Sequence, residues 1–132
     1  MSVNGTITTL RAGDYEARVA AVGASLVSLT HRGRHLVQSY PVDALADGYQ
    51  GAVLVPWPNR VVGARYAVAG QEHQLPVTEV ETGSALHGLA SFQHWQPVEV
   101  DPAQGTWELD LPTPSTPRCL AARSSRSPAP AG

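Results

Sequence analysis

Short runs of alternating apolar and polar positions recur along residues 1–111, each closed by a break rich in glycine, proline or aspartate. Period-two alternation of this length is the pattern of half-buried strands. Thr6 to Leu10 and Tyr15 to Ala21 are β-prone runs, joined by Arg11-Ala12-Gly13-Asp14 as a turn. Gly23 precedes Ala24 to Thr30, where Leu26 and the apolar positions after it suit a half-buried strand. His31-Arg32-Gly33-Arg34 makes another turn, and His35 to Tyr40 reads as a further strand, so the opening is expected to be an antiparallel meander. Further on, Arg65 to Val68 and Gln71 to Leu75 flank Ala69-Gly70 as a hairpin. Gln96 to Asp101 and Thr106 to Leu111 form a similar pair around Pro102-Ala103-Gln104-Gly105.

Between these pairs lies the most informative stretch, Gly51 to Tyr66 (GAVLVPWPNRVVGARY). It follows a polar, turn-rich connection, Pro41 to Gln50, and opens with Ala52 to Val55, an apolar run of the kind that fills a sheet interior. Pro56-Trp57-Pro58 breaks any regular ladder, because neither proline has a backbone N–H to donate. Asn59 and Arg60 follow on this stiff corner, and Val61-Val62 and Arg65 to Val68 return to strand-like composition. A guanidinium fork, an amide that both donates and accepts, and an indole face together suit a polyhydroxylated ligand. The competing reading makes Trp57 core and Arg60 a surface ion-pair partner.

The other chemistry-bearing residues divide unevenly. His87 stands in Gly83 to Leu89 (GSALHGL), and Gly88 beside it lets the backbone bend or a ligand approach the ring. His94, next to Trp95, reads as scaffold. His31 and His35 are four apart, a metal spacing only on a helix, and a glycine turn separates them, so no metal site is expected. Glu72, Glu79 and Glu81 could be taken for acid/base carboxylates, but their polar, alternating context reads as a solvated face.

Composition narrows the class. The 132 residues suffice for one modest domain, and 42% hydrophobic with 15% charged residues fits a soluble globular chain. A net charge of −2 makes no case for nucleic acid or a membrane surface, and no apolar run has the length to cross a bilayer. The N-terminus lacks the basic start and apolar region of a secretory signal, and the single cysteine, Cys119, fits a reducing compartment, so a cytoplasmic location is expected. All nine basic residues are arginine, which suggests GC-rich coding rather than a physical adaptation. At Pro112 the character changes: residues 112–132 hold five prolines and three arginines with no acidic or aromatic residue. Residues 1–111 set six arginines against eleven acids, a sum of −5, whereas the tail carries +3. Without periodicity or burial potential, residues 112–132 are expected to be a disordered tail.

LVPWPNRVVGARY, followed after an interval by SALHGLASFQHW, resembles the N-terminal half of the aldose 1-epimerases (galactose mutarotases). Pro56, Asn59 and Arg60 stand where that family has a Pro-x-x-Asn-Arg corner, Arg65-Tyr66 on its next strand, and Leu86-His87-Gly88 before Trp95. Two ordered motifs are far more specific than one, and the resemblance covers roughly Thr6 to Asp101. It implies an all-β, antiparallel β-sandwich of the galactose-mutarotase type, of which residues 1–111 are the N-terminal part. It further implies interconversion of α and β hexose anomers without metal or organic cofactor. A glutamate base takes the anomeric proton, a histidine acid protonates the ring oxygen, the ring opens, and closure gives the other anomer. Asn59, Arg60 and His87 match the family's substrate-binding residues. The acid histidine, a sugar-binding aspartate and the base glutamate belong to the second half of the fold, so no catalytic residue carries over.

These observations lead to the expectation of a truncated chain, through a frameshift near Gly105 to Pro112, with little or no mutarotase activity alone. Three rival readings remain at this point: a non-catalytic carbohydrate-binding β module; a hexose-phosphate epimerase, for which Arg65 is the only extra cation nearby; and an unfolded remnant without function. The frameshift is tested by translating the gene's other frames past Gly105, where a continuing family-like sequence is expected; without one, the frameshift is excluded.

Overall fold

The computed structural model describes residues 2–111; the expected tail and Cys119 lie outside the described residues. The chain opens as the anticipated meander, with β1 (Ile7–Ala12), β2 (Tyr15–Ala20), β3 (Ser25–His31) and the two-residue β4 (Arg34–His35) in one antiparallel sheet, ordered as in sequence. β1 and β2 register Ile7 against Ala20 and Ala12 against Tyr15. Between β2 and β3 the register shifts at Arg18/Val19, a bulge of the kind that sharpens local twist. At the β3–β4 turn both Arg32 (φ 49°) and Gly33 (φ 78°) are left-handed, as a tight hairpin matching strand twist requires.

The strand expected over His35 to Tyr40 stops at His35. One further backbone bond, Leu36 N–H to Leu29 O at 2.8 Å, prolongs the pairing. The Ser39 hydroxyl then bonds His35 Nδ1 at 3.2 Å, a local contact that competes with the ladder, and Pro41 supplies no donor.

The central run also departs from expectation. Ala52 to Val55 is half-buried but belongs to no strand. Single bonds tether it on both sides: Val53 N–H to Gly23 O at 3.0 Å, and Leu89 N–H to Val55 O at 2.8 Å. The Val55–Pro56 peptide is cis, and the prolines at 56 and 58 cannot continue a ladder. After this corner come β5 (Arg60–Val61), a 3-10 turn at Val62–Ala64, and the hairpin of β6 (Arg65–Val68) and β7 (Gln71–Gln74). That hairpin turns at Ala69-Gly70, as the sequence implied. β8 (Ala85–Leu86) returns to pair with β5, Arg60 opposite Leu86 and Val61 opposite Ala85. β9 (Gln96–Val100) and β10 (Gly105–Glu108) complete the described strands as an antiparallel pair, slightly shorter than their alternation suggests.

The interior is built from small side chains. Ala20, Ala21, Val27, Ala64, Leu75, Ala85 and Ala90 are buried, and the largest side chains with almost no exposure are Val27 and Ser84. Trp57, Val61 and Tyr66 lean on the Ala64–Leu75–Ala85 cluster, and the Trp57 indole N–H donates to Ala85 O at 3.3 Å. Trp57 is therefore scaffold, as the competing reading had it. Large apolar side chains, among them Val62, Val80 and Phe92, stay mostly exposed.

Gly88 has the least room for a side chain among the described glycines. It is left-handed (φ 76°), and a Cβ there would stand 1.9 Å from Val55 O. Gly88→Ala is therefore expected to destabilise the chain by more than about 2 kcal/mol. Gly70→Ala, also left-handed (φ 78°) but with open space around it, is expected to cost about 1 kcal/mol. Thermal melts of the two variants check the order, and equal midpoints would contradict the crowding argument.

Candidate functional site

The β5–β8 pair carries the site. Because Arg60 registers opposite Leu86, the residues flanking the ladder on one side, Asn59 and His87, become neighbours although 28 apart in sequence. They bond twice. The Asn59 backbone N–H donates to His87 Nδ1 at 2.9 Å, and the His87 N–H donates to Asn59 O at 2.9 Å. Both residues are left-handed, Asn59 at φ 60° and His87 at φ 58°. Asparagine tolerates that region better than most residues, whereas His87 adopts it beside Gly88, where the chain turns onto Val55. A backbone donor on Nδ1 assigns that nitrogen as acceptor, so the neutral ring carries its proton on Nε2.

Arg60, exposed beside them, is held by Glu79. Its Nε donates to Glu79 Oε2 and its Nη2 to Oε1, both at 2.6 Å, a two-point fork, while Nη1 reaches Asn59 Oδ1 at 3.4 Å. The Thr82 hydroxyl donates to the same Oε2. The Arg60 guanidinium first, and the Thr82 hydroxyl second, hold the Glu79 carboxyl down to about 2, and the same partner pushes Arg60 upward. Tyr49 packs against His87, ring to ring at 4.7 Å in an edge-on arrangement, and Phe92 lies 5.0 Å from Tyr49.

The structure thus brings Asn59, Arg60 and His87 into one group, with Trp57 half-buried against the neighbouring core cluster. It corrects the reading of Glu79 to Glu81 as one solvated face: Glu79 turns inward to Arg60 while Val80 and Glu81 stay exposed. Glu79, Thr82, Tyr49 and Phe92 are the neighbours that sequence patterning passed over. A threonine and glycine three and four residues after Glu79 were the only local sign that the loop folds back. His31 stacks on Tyr15 at 4.5 Å and His35 bonds Ser39, both away from this group. Among the described residues no three His, Cys, Asp or Glu side chains converge as a metal cage. The arrangement offers fixed donors and an imidazole at an open surface, suited to holding hydroxyl groups.

The model of one family, aldose 1-epimerase, matches residues 6–117. The chain belongs to the aldose 1-epimerase family. It is 39% identical over 112 residues to the uncharacterised protein YihR of Escherichia coli K12, a match covering 85% of this chain and 36% of YihR. Among solved structures, a protein of Escherichia coli K12 provisionally assigned as an aldose 1-epimerase superposes with TM-score 0.62 at 29% identity, over 74% of this chain and 33% of that one. The GalM/aldose epimerase homologue of C. elegans superposes with TM-score 0.66 at 17% identity, over 79% and 35% respectively. The fold is therefore that of the galactose-mutarotase-like β-sandwiches, and this family member spans about a third of the length of the relatives it matches.

The Arg60–Glu79 pair has a defined pH signature. A carboxylate whose folded value is depressed contributes stability above its unfolded value and loses it as pH falls through the folded one. The contribution of Glu79 is thus complete above its ordinary value of 4.5 and lost as pH falls towards about 2. Carboxyl-carbon NMR is expected to show Glu79 titrating near 2, and Arg60→Ala to return it well towards 4.5; a wild-type midpoint near 4.5 would contradict the two-point contact.

Proposed function

We propose that Asn59, Arg60 and His87 form the sugar-hydroxyl-binding portion of an aldose 1-epimerase site whose substrate is a neutral aldohexose such as glucose or galactose. The observation that carries this reading is the pair of hydrogen bonds between Asn59 and His87, which sets Arg60 beside the imidazole inside the segment matching the family. Arg60 and the Nε2–H of His87 supply donors to ring hydroxyls, and the Asn59 amide supplies both a donor and an acceptor. Ring opening and closure need a base and an acid on opposite sides of one sugar. The resemblance assigns both, together with a sugar-binding aspartate, to the second half of the fold, so the residues at hand bind and orient the ring. Neither nucleic acid nor a membrane enters this reading, and no helix among the described residues is long and apolar enough to cross a membrane.

A second reading, a carbohydrate-binding module without turnover, is favoured by the same group because its carboxylate, Glu79, is taken up by Arg60 and Thr82, and His87 Nδ1 by the Asn59 N–H. Both readings expect saturable sugar binding to the 132-residue chain, with Arg60→Ala and His87→Ala each weakening it about tenfold. Calorimetry with glucose and galactose measures this, and no heat from either sugar would overturn both. Polarimetry on freshly dissolved α-glucose is expected to match the buffer rate. Marked acceleration would restore a complete catalytic site to this chain.

A further inference from the structure

Arg60 has a long, flexible side chain on an exposed corner, and such a group loses much rotamer freedom when it binds a ligand. Here that freedom is already restricted. Glu79 takes Nε and Nη2 of the guanidinium together, each at 2.6 Å, a planar fork that fixes the orientation of the whole group. Glu79 is itself fixed by its backbone. Its N–H donates to Ser84 O at 3.0 Å, and Ser84 N–H donates back to Glu79 O at 3.1 Å. Thr78 adds a further tie, its Oγ accepting from Leu86 N–H at 2.8 Å, and the Thr82 hydroxyl holds the carboxylate from below the turn. The segment that orients Arg60 therefore runs directly into β8 and His87, so one closed loop sets both binding groups.

We propose that Glu79, braced by Thr82 and the Ser84 bridge, is a positioning residue that pre-orients Arg60 for a sugar and leaves its Nη1 edge, on the Asn59 side, as the ligand-facing donor. This rests on the sugar-binding reading above. Glu79 acts only through Arg60, so its removal matters only while Arg60 is present. The test is a double-mutant cycle in the 132-residue chain, using Glu79→Gln, Arg60→Ala and the pair, with galactose and glucose affinities from calorimetry. Glu79→Gln is expected to weaken binding about tenfold in the wild-type background and to change it less than twofold in Arg60→Ala. Thr82→Val is expected to give a smaller loss of the same kind. Equal losses in the two backgrounds would overturn the proposal, since a general structural defect would add to the Arg60 substitution.

A readout without sugar separates this from the binding reading. The Arg60 Nε–H resonance is expected to be protected and shifted in the wild type and to collapse to the solvent-averaged position in Glu79→Gln. Should neither sugar bind while this change occurs, the sugar reading fails and the positioning of Arg60 by Glu79 stands. An Arg60 signal identical in both proteins would overturn the positioning itself.

Discussion

The pair of hydrogen bonds between Asn59 and His87 is the constraint on which the described site depends. One bond is backbone to backbone and the other backbone to ring, so the same contact closes the β5–β8 ladder and fixes the imidazole tautomer. Each residue must enter the left-handed region to make it, a conformation that costs free energy and persists only where surrounding contacts over-determine it. Those contacts are nearby. Gly88 allows the chain to pass directly over Val55 O, and Leu89 N–H then binds that oxygen at 2.8 Å. Local strain, close backbone approach and candidate function coincide in one place.

Around that contact the side chains divide their labour by chemistry. Trp57 spends its indole on the small-residue core and its N–H on a backbone carbonyl, which stiffens the proline corner from behind. Arg60 is satisfied by a carboxylate rather than left to solvent, so the exposed cation is ordered without being buried. An exposed ion pair contributes little to stability as a rule. Its value at this position lies in orientation, because a two-point fork removes rotations that a single contact would leave. Tyr49 packs edge-on against the imidazole, and Phe92 packs against Tyr49 in turn.

The core of the described residues is thin. In relatives about three times as long, these strands form one portion of a sandwich, and residues such as Val62, Val80 and Phe92 lie mostly exposed here. Small buried side chains, chiefly alanines, let the backbone segments approach closely, and much of the cohesion passes through single backbone hydrogen bonds between irregular segments. Such a frame holds local geometry well where turns and glycines fix it, and buries little apolar area per residue.

The sequence by itself determined the all-β class and the three hairpin pairs, and it singled out Asn59, Arg60 and His87 as candidates, because alternation, turn chemistry and motif order are local or nearly local properties. Ala69-Gly70 marks its own hairpin, and Pro56-Trp57-Pro58 marks its own interruption, whatever surrounds them. Tertiary structure alone decided where the strands stop and who meets whom. His35 to Tyr40 alternates like a strand but yields to a serine–histidine bond, and Ala52 to Val55 is apolar enough for a ladder that its proline and glycine neighbours deny it. Glu79 is the clearest case: it alternates with Glu81 as a solvated run does, and only the return of the chain at Thr82 and Ser84 turns one carboxylate onto Arg60. That pairing joins residues 19 apart, and no pattern along the chain encodes it, because the register of β5 against β8 is set by contacts distant in sequence.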